Sequence, residues 1–156
     1  MSPIRVACIG VVASLAIVTS CAAEEDLAAF GKCQITVETA GGPVVFKADY
    51  ADQPETRQRG LMFRENMDDR TGMFFRFENV GTVSMWMKNT LLPLDMIFVG
   101  ADDAVISVHE GAVPGSLDVI SSQAPALYVL EVNAGEAQAA GIEKGQQVQH
   151  DCMPAG

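Results

Sequence analysis

Alternation of polar and apolar residues dominates the chain after residue 32 and predicts short β-strands. Residues 34–38 alternate, residues 40–43 carry a turn signal, and residues 44–50 are rich in β-branched and aromatic side chains. Together they predict an opening hairpin. Five further apolar runs of strand length are separated by Gly, Asp and Pro, at residues 72–77, 83–87, 94–99, 105–109 and 126–132. Their spacing favours antiparallel pairing.

Two short helices interrupt this pattern. Asp52 resembles an N-cap that is followed by Pro54 and Glu55, which predicts a helix over residues 54–61. A second helix is expected over residues 135–140, ended by Gly141, before a last strand at residues 147–150. The predicted fold is mostly β (α+β), an antiparallel β-barrel or sandwich with one or two short helices.

Length and charge narrow the class of protein. The 156 residues are 49% hydrophobic, which suits one packed core, and we assign a single globular domain to residues 32–152. The formal net charge of -10 has the wrong sign for a protein that neutralises phosphates. Nucleic acid is therefore not an expected partner.

The first 23 residues have the pattern of a secretory signal peptide. Arg5 precedes the apolar residues 6–18, and a short acidic linker follows at residues 24–31. Residues 18–21 resemble a bacterial lipobox, which predicts lipidation of Cys21, with ordinary signal cleavage and a permanent anchor helix as alternatives. We expect an exported protein, periplasmic or tethered to a membrane only through this signal or lipid.

Export changes the interpretation of the cysteines. Oxidising compartments permit disulfides, and Cys33 and Cys152 are the two that lie in the expected domain, so we predict a bridge between them. Two unpaired thiols are the alternative. A metal site is disfavoured because only His150 lies near either cysteine. The sequence indicates no metal and no cofactor.

Basic residues are concentrated in one part of the chain. Six of the ten are Arg57, Arg59, Arg64, Arg70, Arg76 and Lys88. Guanidinium groups suit carboxylates and phosphates, so one hypothesis is an anion site in this region. The alternative is that the arginines pair with nearby acidic residues on the surface.

Polar residues beside apolar strands form a second candidate cluster. The sole Trp, Trp86, is followed by Lys88 and Asn89, Asp95 lies in the next apolar run, and Glu131 lies late in another. If the strands are neighbours, these side chains would converge on one site. A structural salt-bridge network would explain the same residues.

Other chemistries receive less support. Six methionines fall within 35 residues, at Met62, Met67, Met73, Met85, Met87 and Met96, and exported thioethers can bind Cu(I), although methionine also fills cores. Gly-x-Ser-x-Gly and His-Glu-x-x-His motifs are absent. His109 is expected to face solvent rather than act as a general base.

Several sequence blocks resemble the domain of unknown function 192 family, also called uncharacterised protein family 0127. The blocks are residues 59–64, 72–75, 85–90, 93–98, 128–132 and 141–145, within a match over about residues 35–149. The resemblance implies a compact, strand-rich, secreted or membrane-attached domain, and it brings no reaction, substrate or cofactor. The blocks include Arg59, Arg64, Trp86, Lys88, Asn89, Asp95 and Glu131.

These observations lead to one preferred hypothesis and two alternatives. The preferred one is a noncatalytic cell-envelope domain that binds a small anionic ligand or an envelope protein through those seven residues. A hydrolase or lyase would instead use Asp95 or Glu131 as general base, with Lys88 or Arg59 stabilising negative charge. Methionine-based Cu(I) binding is the second alternative. Oligomeric state does not follow from the sequence.

Overall fold

The computed structural model describes residues 29–155. The predicted signal peptide and the lipidation of Cys21 lie outside these residues. Nine strands and two helices follow one another in the described part of the chain. They are β1 (Gly31–Thr39), β2 (Gly42–Ala51), α1 (Pro54–Arg59), β3 (Thr71–Gly81), β4 (Ser84–Met85), β5 (Leu94–Val99), β6 (Val105–Ala112), β7 (Ile120–Ser121), β8 (Ala126–Asn133), α2 (Glu136–Ala140) and β9 (Val148–Met153). The predicted mostly β fold with two short helices is confirmed.

Seven strands form one sheet in the order β6-β5-β8-β3-β2-β1-β9, and β4 pairs with β7 in a small second sheet. The large sheet does not close, so the architecture is sandwich-like rather than a barrel. All neighbours are antiparallel except β2 and β3, which are parallel. This pair departs from the antiparallel expectation because α1 carries the chain back to the same end of the sheet.

Helix α1 begins at Pro54 as predicted and ends at Arg59, two residues earlier than predicted. Its N-cap is Gln53 rather than Asp52, and the Gln53 N–H donates to Thr56 Oγ1 at 3.1 Å. Pro54 occupies the first turn, where its missing N–H removes no helical hydrogen bond. None of the helices within residues 29–155 is long and apolar enough to cross a membrane.

Alternation along the strands divides the core into two clusters on opposite faces of the sheet. Phe74 and Phe75 are adjacent on β3, and they belong to different clusters. The first cluster contains Ile35, Phe46, Phe74, Ile97 and Leu130 and is covered by Ala137 and Ala140 of α2. The second contains Leu61, Met73, Phe75, Met87, Met96 and Phe98. A residue on a central strand therefore faces one cluster or the other according to its position.

Candidate functional site

Glu131 lies on β8, between β3 and β5 in the middle of the sheet. It is directly opposite Met73 on one side and Met96 on the other, so its side chain faces the second core cluster. Only 4% of the residue is exposed. The neighbouring β3 backbone approaches closely here, because a side chain at Gly72 would collide with the Glu131 carbonyl oxygen.

Burial changes the ionisation of Glu131. Desolvation raises the pKa of its carboxyl group from 4.5 to about 8, and no hydrogen bond or ion pair within residues 29–155 offsets that burial. At neutral pH the group is therefore mostly an uncharged acid, which can donate a hydrogen bond. Perturbed carboxyl groups of this kind mark candidate functional sites when they face a cavity.

A cavity of about 230 Å³ opens over Glu131, and we call it the Glu131 pocket. Its walls come from three parts of the chain, which are α1 with the turn after it, β3, and the segment from β4 to Thr90. The lining residues are Arg57, Gln58, Arg59, Gly60, Leu61, Met62, Phe75, Phe77, Ser84, Met85, Trp86, Lys88, Thr90 and Glu131. The pocket therefore combines aromatic and apolar walls with cations and one buried acid.

The cations of the Glu131 pocket differ in their surroundings. Arg57 donates to Glu78 at 3.1 Å and to two backbone carbonyls, which fixes it as part of the wall. The Arg59 guanidinium lies over the Phe30 ring, 4.1 Å from its centroid. Lys88 Nζ lies 5.2 Å from the centroid of Trp86, whose residue is 49% exposed. Arg59, Trp86 and Lys88 are thus the predicted site residues that share this pocket with Glu131.

Asn89 supports the pocket through its backbone. It adopts a left-handed conformation with φ of 56°, which asparagine tolerates better than most residues. Its carbonyl oxygen accepts the N–H of Phe63 at 3.0 Å, and Phe63 itself has φ of 64°. This bond ties the turn after α1 to the segment that carries Trp86 and Lys88.

Asp95 does not join the other predicted site residues. It is opposite Val132 rather than Glu131, so it faces the first core cluster on the other side of the sheet. Its carboxylate is fully buried and accepts three backbone N–H groups, from Gly111 at 2.9 Å, Gly135 at 2.8 Å and Ala137 at 3.0 Å. The expected convergence of Asp95 with Lys88 and Glu131 is therefore wrong, because the strand register separates them.

Arg64 also lies apart from the Glu131 pocket. It forms an ion pair with Asp49, which is paired with Lys32 as well, beside a separate cleft of about 740 Å³. Burial alone would raise the pKa of Asp49, but hydrogen bonds and charge from Lys32 and Arg64 outweigh it and lower that pKa. Part of the predicted basic region thus forms surface ion pairs.

Five of the six candidate methionines belong to the core. Met73, Met87 and Met96 are fully buried in the second cluster, and Met67 and Met85 are partly buried against it, while Met62 is half-buried in the wall of the Glu131 pocket. A copper ion would have to enter the core to reach the buried three. His109 is exposed on β6, in agreement with the expected solvent-facing position.

Sequence reasoning missed the apolar walls of the pocket. Leu61, Phe75 and Phe77 looked like ordinary helix-end and strand residues, and Met62 was considered only as a candidate Cu(I) ligand. Phe75 and Phe77 are two apart on one strand, which places them on the same face, but nothing in the sequence indicates which face meets Glu131. Glu131, a single acidic residue in an otherwise apolar run, was the feature of the sequence that indicated the pocket.

Comparison with known proteins identifies the family. Residues 35–150 match DUF192, described as "Uncharacterized ACR", and the chain belongs to this family. A Sinorhizobium meliloti 1021 protein, whose name proposes a role as a transcription regulator, is 39% identical, with a TM-score of 0.75 over 78% of this chain and 95% of its own. A protein of unknown function from Novosphingobium aromaticivorans DSM 12444 is 37% identical, with a TM-score of 0.73 over 74% and 83%. No curated protein matches the chain.

The raised pKa of Glu131 gives a stability prediction. The pKa of Glu131 in the folded protein, about 8, lies above the ordinary value of 4.5, so the folded state holds this proton more tightly than the unfolded state. The resulting contribution to the free energy of unfolding is fully present below pH 4.5 and is lost as the pH rises to 8. Glutamine does not titrate, and Glu131→Gln should exceed the wild type by roughly 3 kcal/mol in unfolding free energy at pH 7. Urea unfolding at pH 5 and pH 8 measures the difference.

The exposed Glu55 provides the control for this experiment. Glu55→Gln should follow the wild-type pH profile within roughly 0.5 kcal/mol. A Glu131→Gln variant whose advantage is the same at both pH values would contradict the raised pKa.

Proposed function

We propose that this protein is a noncatalytic binding module for a small organic anion with an apolar body. The supporting observation is the Glu131 pocket itself, in which Arg59 and Lys88 accompany an aromatic wall and a buried acid. Cations suit a carboxylate or phosphate head group, and the apolar walls suit the remainder of such a ligand. The protonated Glu131 would donate a hydrogen bond to an oxygen at the inner end.

The size of the pocket limits the ligand. A cavity of about 230 Å³ lies below the usual range for drug-sized ligands, roughly 300 to 1,000 Å³. A single ring with one acidic group is the chemistry that fits. The indole of Trp86 and the ring of Phe77 would provide stacking surfaces for it.

A hydrolase or lyase is the second candidate, and one observation favours it. A carboxyl group with a pKa of about 8 exchanges protons near neutral pH, as a general acid or base must. In this alternative Glu131 alone would carry the proton transfer, with Lys88 or Arg59 stabilising negative charge. Asp95 is excluded from this role because its carboxylate is fully buried and bound by backbone N–H groups.

Location and partners complete the proposal. We infer that the protein is exported and is either periplasmic or tethered to a membrane by a lipid at Cys21. An envelope protein is the alternative partner. The Cys33–Cys152 disulfide is typical of oxidising compartments. The name of the Sinorhizobium relative gives that protein a role in transcription regulation, and the net charge of -10 does not support nucleic-acid binding by this chain.

Trp86 makes the proposal directly testable because it is the only tryptophan of the chain. Phenylacetate and phenyl phosphate should change its fluorescence in a saturable way, while the neutral phenylacetamide should bind much more weakly. Lys88→Ala should lower the affinity for phenylacetate about tenfold, since a charge-assisted hydrogen bond is lost. The measurement is a fluorescence titration of the full chain.

Lys144→Ala is the matched control, because Lys144 is exposed and does not line the Glu131 pocket. This variant should bind like the wild type. Equal affinity for phenylacetate and phenylacetamide, or no loss in Lys88→Ala, would contradict anion binding. Release of inorganic phosphate from phenyl phosphate that is abolished in Glu131→Gln would contradict noncatalytic binding and would support the hydrolase.

A further inference from the structure

A second group of reactive side chains lies on the other side of the sheet, at its edge. Cys33 on β1 is directly opposite Cys152 on β9, and the two form a disulfide. His150 precedes Cys152 by two residues on the same strand, so both side chains point the same way. Asp103, in the turn before β6, faces His150 from a different part of the chain.

The distances connect these groups in a line. His150 Nδ1 lies 3.8 Å from Cys152 Sγ, and His150 Nε2 lies 3.3 Å from Asp103 Oδ1. A sulfur, an imidazole and an orienting carboxylate in this order are the arrangement that activates a cysteine. None of them lines the Glu131 pocket.

The imidazole is held in place by its neighbours. The His150 ring packs 5.3 Å from the Phe74 ring and 4.9 Å from the Tyr128 ring, between centroids, while 24% of its side chain stays exposed. Cys152 is partly exposed, whereas Cys33 is 5% exposed. Access from solvent therefore favours Cys152 as the sulfur that an external thiol reaches.

We propose that the Cys33–Cys152 disulfide is a thiol–disulfide exchange site, with Cys152 as the reacting sulfur and His150 as the group that stabilises its thiolate. Asp103 is a positioning residue that orients the imidazole. The substrate class is a thiol or dithiol small enough to reach the edge strand β9.

The exchange balances without any further reactant. A substrate thiolate attacks Cys152 Sγ, the bond between the two cysteines breaks, and Cys33 leaves as a thiolate that takes a proton from solvent. A second substrate thiolate then attacks the substrate sulfur of this mixed disulfide. Cys152 leaves as a thiolate beside His150. Two substrate thiols are thereby oxidised to a disulfide, and the protein disulfide is reduced by two electrons to two thiols.

Reduced glutathione tests the proposal on the full chain. Mass spectrometry of alkylated peptides follows Cys33 and Cys152 individually, and Trp86 fluorescence confirms that the protein stays folded. Wild type should lose the Cys33–Cys152 bridge as the mixed disulfide forms at Cys152, and a second glutathione should then release oxidised glutathione and leave Cys152 as a thiol. His150→Gln should slow the release of Cys152 roughly fivefold, because a less stabilised thiolate leaves more slowly.

Two further variants keep the result interpretable. Asp103→Asn leaves the ring packing of His150 in place and should also slow the exchange, although less. His109, the other histidine of the chain, is exposed on β6 opposite Met96 of β5, and the variant His109→Gln should exchange at the wild-type rate. The proposal is overturned if His150→Gln and Asp103→Asn both exchange like the wild type, or if glutathione reduces the bridge only in urea-unfolded protein.

Discussion

Replacing Asp95 with alanine is expected to lower the free energy of unfolding by about 4 kcal/mol. The substitution removes the acceptor of three backbone N–H groups, those of Gly111, Gly135 and Ala137. These groups come from the end of β6 and the start of α2, so one carboxylate holds two segments against β5. Urea unfolding at neutral pH measures the loss.

Asparagine at the same position gives a graded result. Asp95→Asn keeps one oxygen for the N–H groups of Gly135 and Ala137 but turns a donor towards Gly111, so about half of the loss is expected. Asp69→Ala, at an exposed site, should change stability by less than roughly 0.5 kcal/mol. An Asp95→Ala variant as stable as the wild type would remove the structural role assigned here.

Removing the disulfide is expected to have an effect of similar or larger size. Cys33 and Cys152 are 119 residues apart, and a closed loop of this length restricts the unfolded chain strongly. The paired substitution Cys33→Ala with Cys152→Ala should therefore lower the free energy of unfolding by roughly 4 to 5 kcal/mol. The readout is the urea midpoint of the paired variant against that of the oxidised wild type.

Met153 provides a neighbouring control on the same strand. It is exposed next to Cys152, and Met153→Ala should shift the midpoint only slightly. A paired cysteine variant with the wild-type midpoint would show that the bridge does not restrain the unfolded chain.

Most of the fold could be predicted because its strands carry strong local patterns. The apolar run at β5 was predicted with the bounds that the structure has, and the hairpin of β1 and β2 follows from alternation around a glycine turn. Strand β4 lies within the predicted run at residues 83–87, whereas its partner β7 was not predicted, since a two-residue strand leaves almost no periodicity. The parallel pairing of β2 and β3 depends on a crossover that local patterns do not specify.

The candidate site was predicted only in part, because the sequence does not reveal the pairing register of the strands. Trp86, Lys88 and Glu131 were identified as residues of unusual type beside apolar segments, and Arg59 was identified as part of the basic region. All four line one pocket. Asp95 satisfied the same criterion and faces the opposite side of the sheet. Successive side chains of a strand point to opposite faces of the sheet. A shift of one residue in strand pairing therefore decides whether a carboxyl group faces the pocket, as Glu131 does, or the opposite side, as Asp95 does.

The order of strands has a consequence for how the protein reaches this structure. The first strand, β1, lies between β2 and the last strand, β9, so the sheet is complete only when residues 148–153 are present. Contacts between such distant residues raise the contact order, which slows folding relative to helical proteins of the same size. Until residues 148–153 pair with it, the outer edge of β1 has no partner strand in this sheet, and its backbone N–H and C=O groups are free to pair with a strand of another chain.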